Sequence, residues 1–278
     1  MADKILYVSD LDGTLLRSDE TISQLTCQTI NHLVKHGMIF SYATARSFQT
    51  AHKVTKGLEV KMPLIIYNGA LIIDSVSQEI LLANFFEAKE IKELIHDLTN
   101  HHIYPIVYSY IDQKEKFSFV EELNTKGMKD FIYTRKDDIR KNPVKSIDEL
   151  SLGQCFYITC IDEYEKLELF YHKYKSQFHC LFQEDIYLHS QWLEIMPLKA
   201  SKSQAIQQLK EYLDCDKIIV FGDGNNDIDM FHIADEAYAV ENAVDELKDI
   251  ATQVILENND DGVAKWLLQN VALDKSFK

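Results

Sequence analysis

Positive charge is scarce in this chain: 29 lysines and arginines stand against 44 aspartates and glutamates, a formal net charge of −15. A surface of that sign repels nucleic-acid backbones and anionic lipid, so neither is expected as a partner. Cysteine is sparse too. The five residues Cys27, Cys155, Cys160, Cys180 and Cys215 are odd in number, widely spaced and free of any CxxC pair, which reads as a reduced, intracellular chain. No run approaches the ~20 apolar residues that a membrane helix needs. The first residues lack the basic stretch and apolar core of a signal peptide. A soluble, cytoplasmic protein is expected, without a membrane partner. Repeats and low-complexity segments are absent as well.

At 278 residues the chain is long for one core and short for three, which favours a core domain with a smaller one inserted or appended. From Lys4 to about Ala83, apolar runs (Ile5 to Ser9, Ile39 to Ala43, Leu64 to Tyr67) alternate with amphipathic stretches (Ser23 to His36, Ser47 to Gly57). That rhythm belongs to parallel βαβ units. Asn68-Gly69 reads as a turn into a short hairpin through Ala70 to Ile73. Between about 84 and 190 the rhythm changes. A helix from Ala88 to His101 precedes aromatic, β-branched runs at Ile103 to Tyr110, Lys116 to Glu121, Phe156 to Ile161, Cys180 to Gln183 and Tyr187 to Ile195. A second helix lies near Glu163 to Lys175, and the polar stretch Arg135 to Glu149 reads as an exposed excursion. This is an α+β pattern with an antiparallel sheet. After Pro197 the βαβ rhythm returns, with helices near Lys202 to Leu213 and Asn226 to Ala234 and strands at Ile218 to Phe221, Ala237 to Val240 and Gln253 to Leu256. The fold class expected is therefore α/β: a doubly wound, mainly parallel Rossmann-like core from residues 1–83 and 191–278, with an inserted α+β lid at 84–190.

Two acidic motifs follow buried-strand runs: Asp10-Leu11-Asp12-Gly13-Thr14 and Gly222-Asp223-Gly224-Asn225-Asn226-Asp227. In open α/β sheets ligands bind at the carboxyl ends of the strands. Residues i and i+2 at a strand end can point to one side, and Gly13 lets the chain turn away. One carboxylate can then attack phosphorus while its neighbour protonates the leaving oxygen and later activates water. Asp223 and Asp227 with Asp10 can hold a hard cation such as Mg²⁺. The same residues also fit blander readings, an Asp-Gly turn and a helix cap. A calcium loop is excluded, since its sixth position here is Ile228 and its twelfth Ala234. Thr44 closes a strand and offers a hydroxyl for a phosphate oxygen, or a helix cap, with Arg46 two residues on. Lys202 at a helix start runs against the helix dipole, as a solvated surface lysine would or one held by a local anion.

In this order the motifs resemble the haloacid dehalogenase superfamily, specifically its Cof-type sugar-phosphate phosphatases with a large α/β cap. The resemblance covers a little over half the chain. It implies Asp10 as nucleophile forming an aspartyl-phosphate, Asp12 as general acid/base, Thr44 and Lys202 as the second and third motifs, and Asp223 with Asp227 as the fourth. Mg²⁺ would be held by Asp10, the Asp12 backbone carbonyl and Asp223, with Asp227 in support. Asn226 resembles the substrate-side asparagine, Asn68-Gly69 the family's Asn-Gly loop, and Gly13, Arg46 and Asn68 join the phosphate side. Ala45 departs from the family, which commonly has glycine there. Lys199 is a rival to Lys202, which directly precedes its helix. The lid between second and third motifs would be the cap, with Tyr108, Tyr110, Glu121, His189 and Trp192 on its strands assigned no contact.

The function expected is hydrolysis of a small phosphate ester with Mg²⁺ as cofactor. Two alternatives remain: a phosphomutase, which would isomerise a sugar phosphate, and a regulatory module phosphorylated at Asp10 without turnover.

Overall fold

A computed structural model of the chain describes residues 3–59, 61–184 and 190–271. Two compact units emerge, one of residues up to Ala83 together with those from Ser201 on, the other Asn84–Ala200. No helix among the described residues is long and apolar enough to cross a membrane.

The first unit begins with β1 (Ile5–Asp10), α1 (Gln24–Lys35), β2 (Ile39–Ala43), α2 (Phe48–Val54), β3 (Pro63–Ile66), β4 (Leu71–Asp74) and β5 (Ile80–Ala83). The middle unit carries α3 (Ala88–Asn100), β6 (Pro105–Ile111), β7 (Lys114–Val120), α4 (Lys126–Thr134), β8 (Lys141–Val144), β9 (Gln154–Asp162), α5 (Tyr164–Tyr174), β10 (His179–Glu184) and β11 (Gln191–Met196). The first unit resumes with α6 (Lys202–Leu213), β12 (Lys217–Gly222), α7 (Ile228–Ile233), β13 (Glu236–Val240), α8 (Asp245–Ile250), β14 (Gln253–Ile255) and α9 (Gly262–Asn270).

Its sheet runs β14-β13-β12-β1-β2-β3-β4-β5. Pairing is parallel from β14 to β3, and β4 and β5 return antiparallel, the hairpin after Asn68-Gly69 included. The central strands are covered on both faces, so Leu6, Val8, Val220 and Phe221 are all fully buried. This is why β1 and β12 read as continuous apolar runs rather than alternating ones. β1 and β12 are neighbours, with Ser9 beside Phe221. From that pair the chain winds outward to β2 on one side and to β13 on the other, a topological switch point. Serines cap α1 and α6: Ser23 accepts from Thr26 N and Ser201 from Gln204 N.

In the middle unit the sheet order is β10-β11-β9-β6-β7-β8. Neighbours pair antiparallel except β7 with β8. Leu94, Leu98, Val107, Ile158, Cys160, Leu167, Phe170, Leu193 and Ile195 form one core, which places α3 and α5 on one face. On the other, Phe131 of α4 meets Trp192 of β11 edge-on, 5.5 Å between centroids.

Three expectations from the sequence need amending. Strand β11 pairs with β9 and β10, so the second boundary falls at 200/201 rather than 190/191. The stretch Arg135 to Glu149 is not simply an exposed excursion. It holds edge strand β8, and Arg140 is buried there because Glu115 and Asp138 each pair with it at 2.6 Å. Helices α4, α8 and α9 and strand β5 were not foreseen, and residues 187–189, including His189, lie outside the described residues. All five cysteines are free thiols.

Candidate active site

The site grows from the β1–β12 register. With Ser9 beside Phe221, Asp10 ends β1 next to Gly222, and Asp223 follows one residue out. After Asp10 the chain makes one wide turn, closed by Leu16 N donating to Leu11 O at 2.8 Å. Inside that turn Gly13 has φ +77°, and a Cβ there would stand 2.2 Å from Asp223 Oδ2. Both conditions demand glycine. Thr14 donates from Oγ1 to Asp223 Oδ1 at 2.6 Å, tying the first motif to the fourth. Asn242 holds the turn from outside, its Nδ2 donating to Gly13 O at 2.7 Å.

Lys202, the first residue of α6, is 3% exposed. Its Nζ donates to Asp10 Oδ1 at 2.5 Å and to Asp227 Oδ1 at 2.7 Å. The other oxygen of Asp227 accepts from the backbone N–H of Asp223 and Gly224, at 3.0 and 3.1 Å. Asp227 thus has both oxygens engaged and shapes the loop. Lys199, the rival lysine, is exposed. Asp10, Asp223 and Asp227 each offer a carboxylate oxygen within 4.8 Å of the others. Burial raises Asp10 well above the usual carboxylate range; Lys202 draws it down, and Asp227 and Asp223 push it up again. Asp223 rises to about 6, from burial first, against the bond from Thr14. Burial works against the Lys202 ammonium, but Asp10 and Asp227 outweigh it and its pKa is raised.

Asp12 stands outside this cluster. Its half-exposed carboxylate is clamped by Arg46, which donates from Nε at 2.8 Å to Oδ2 and from Nη2 at 2.5 Å to Oδ1. Nη2 also reaches Glu20 Oε2 at 3.1 Å. Thr44 is fully buried, and its Oγ1 accepts from Arg46 N at 3.1 Å, so the hydroxyl shapes the turn that aims the guanidinium. The Asn-Gly loop is buried beside the start of α6: Tyr67, Asn68 and Gly69 have φ of 51°, 51° and 95°. A Cβ on Gly69 would meet Ser201 O at 2.2 Å. Asn226 is exposed, its Oδ1 close over Gly224. The sequence reading passed over Thr14 and Asn242. Thr14 lay within the quoted pentapeptide, whereas Asn242 carried no pattern.

The donor set fits a hard divalent cation. Three carboxylates converge, and once Lys202, Thr14 and the Asp223 and Gly224 amides are served, Asp10 Oδ2 and Asp223 Oδ2 have no hydrogen bond among the described residues. Oxygen ligands of this kind suit Mg²⁺.

Comparison with known proteins agrees with this architecture. A haloacid dehalogenase-like hydrolase family profile matches residues 7–267. A Haemophilus influenzae protein named "Putative phosphatase" is 31% identical over 92% of this chain and 94% of its own length. The 5-amino-6-(5-phospho-D-ribitylamino)uracil phosphatase of Bacillus subtilis is 25% identical over 96% of this chain and 98% of its own. A Thermotoga maritima protein of known crystal structure superposes with a TM-score of 0.78 and 26% identity, covering 99% of each chain. Two strand-end acidic motifs, a buried lysine between their carboxylates and a profile match across nearly the whole chain lead to one conclusion: the protein belongs to the haloacid dehalogenase-like hydrolase family.

Proposed function

We propose that this hydrolase, a phosphatase of the haloacid dehalogenase type, cleaves small sugar- or polyol-type phosphomonoesters with Mg²⁺, through an aspartyl-phosphate on Asp10. The observation that carries the reading is the buried Lys202 ammonium between Asp10 and Asp227, with Asp223 within 4.8 Å of both carboxylates. A nucleophilic carboxylate must be ionised. Burial opposes that at Asp10, and Lys202 offsets it by a charge-assisted bond to Oδ1 that leaves Oδ2 to attack. The Asp10 Oδ2–P bond forms as the P–O bond to the alcohol breaks, and the alkoxide takes a proton from Asp12. Water, deprotonated by Asp12, then attacks phosphorus, releasing inorganic phosphate and the Asp10 carboxylate. Arg46 holds the Asp12 side chain in one orientation through bonds to both of its oxygens, and those bonds must give way when Asp12 hands its proton to the leaving alkoxide. Asp10 and Asp223 would hold Mg²⁺, whose charge lets an anionic nucleophile approach an anionic ester. Asp227, with both oxygens engaged, fixes the Asp223 loop and Lys202. The ribityl phosphate named for the Bacillus subtilis relative supports an ester of a hydroxyl-rich alcohol.

The test is inorganic phosphate release from a panel of sugar, polyol, nucleotide and aryl phosphates, with Mg²⁺ and with chelator. Mg²⁺-dependent release, lost in Asp10→Asn, is expected. Undiminished turnover in that variant removes the nucleophile assignment, and isomerised product without free phosphate replaces hydrolysis by mutase chemistry.

A further inference from the structure

The turn after β1 is held by two asparagines from the far end of the chain. β1 has ended at Asp10, so the carbonyls of Gly13 and Leu16 have no strand partner and must be served otherwise. Asn242, two residues beyond β13, donates from Nδ2 to Gly13 O at 2.7 Å. Asn258, three residues beyond β14, donates from Nδ2 to Leu16 O at 2.8 Å and is 4% exposed. The two are joined to each other, since Asn258 N donates to Asn242 Oδ1 at 3.0 Å. An amide side chain can be turned two ways, and here both partners of Asn242 demand the same one: Gly13 O needs a donor and Asn258 N–H an acceptor.

The loop that carries Asn242 reaches the second acidic motif as well. Val244 N donates to Asp223 O at 2.9 Å. Thr14, next to Gly13 and 1% exposed, donates from Oγ1 to Asp223 Oδ1 at 2.6 Å. These bonds close a ring: Asn242 to Gly13, along one peptide to Thr14, across to Asp223, and through Val244 back to Asn242. The main chain of Asp223 is thus set by Val244 and one of its carboxylate oxygens by Thr14. The place of Thr14 depends in turn on the Gly13 peptide that Asn242 holds. Oδ2 is the Asp223 oxygen left without a hydrogen bond among the described residues. Asn242 is itself exposed, so water can take over its bond to Gly13 O at little cost in stability. Water cannot fix the direction of the peptide. Groups that orient a metal ligand from behind typically matter ten- to a hundredfold in metal affinity or activity.

Resting on the phosphatase reading, in which Asp10 and Asp223 hold Mg²⁺, we propose that Asn242, braced by Asn258, is a positioning residue: it fixes the Gly13 peptide so that Thr14 turns Asp223 Oδ2 towards the cation. Its action runs through Thr14 and Asp223 and not on the reacting atoms.

The test uses Asn242→Ala, Thr14→Val and the double variant, with Mg²⁺ affinity read without substrate from the rise of the melting midpoint as the cation is added. Without Mg²⁺, Asn242→Ala should melt within about 2 °C of wild type, as a surface substitution does. Its Mg²⁺ affinity should nevertheless fall about ten- to a hundredfold, and kcat for the ester turned over best should fall with it. The double variant should lose no more than about twofold beyond the weaker single variant, because both substitutions break one linkage. Thr14→Ser, which keeps the hydroxyl, should restore the affinity that Thr14→Val loses. Wild-type Mg²⁺ affinity in Asn242→Ala, or losses that multiply in the double variant, overturn the positioning role and leave the phosphatase reading intact. A wild type that neither gains stability from Mg²⁺ nor releases phosphate from any ester fells that reading and this one with it.

Discussion

Replacing Lys202 by methionine, similar in length and uncharged, isolates what the buried ammonium does. In the wild type Nζ lies 2.5 Å from Asp10 and 2.7 Å from Asp227, with side-chain exposures of 2%, 7% and 0% for the three residues. Removing one partner of a buried ion pair typically costs about 3–5 kcal/mol, because the other charge stays buried and uncompensated. Here two carboxylates are left, so the upper half of that range is expected at pH 8 in chelator. At about 2–4 °C per kcal/mol for a unit of this size, the midpoint should fall by roughly 8–20 °C. The deficit should shrink at pH 5, with the sign set by Asp10. Its pKa is already raised by burial, and without Lys202 it rises further. The folded form then binds a proton that the unfolded form does not, so stability is retained at low pH and lost as pH rises through the folded value. Thermal melts of both proteins at pH 5 and 8 decide the matter. A midpoint within a degree of wild type at pH 8, or a larger deficit at pH 5, would refute the ion-pair argument.

Gly13→Ala adds a methyl 2.2 Å from Asp223 Oδ2 at φ +77°. It should cost on the order of 1–3 kcal/mol and reduce phosphate release at least tenfold, since the turn cannot keep both φ and Asp223 in place; a variant with wild-type melting and turnover contradicts the packing described. Glu194, raised by burial from 4.5 to about 7, contributes stability that is present below pH 4.5 and lost as pH rises to 7. At 1.36 kcal/mol per pH unit this amounts to about 3 kcal/mol, so Glu194→Leu should gain about that much on wild type between pH 4.5 and 8 in urea titrations. Equal pH slopes in the two proteins would remove the buried-carboxylate account.

How far the sequence carried depended on whether neighbours in the chain or neighbours in space set the structure. β1 and β12 were legible because burial on both faces makes them continuous apolar runs, each followed by its acids. The Lys202 position was legible from chain order, but its burial between two carboxylates was not, since only the sheet register brings residues 10, 202 and 227 together. β11 was assigned to the wrong unit because an apolar alternation does not say which sheet it joins; that was fixed by its antiparallel register with β9. Residues 135–149 looked solvent-exposed because they are rich in charge, and the pairing of Arg140 with Glu115 crosses 25 positions. Glu194 attracted no notice for a related reason: an acid in an alternating strand ordinarily marks the wet face, and here both faces are covered.

The placement of β1 between β2 and β12 also bears on how the protein is made. β1 through β5 leave the ribosome first, yet the parallel partner of β1 begins only at Lys217, after the whole middle unit. At about 5–20 residues per second the interval from Ala83 to Lys217 is on the order of ten seconds. Throughout it the Leu6–Ser9 edge is unpaired, and until α6 emerges Asp10 has no lysine beside it. The nascent half-sheet therefore keeps one adhesive edge, and Asp10 meets Asp223 and Asp227 only when the segment after Ser201 has arrived.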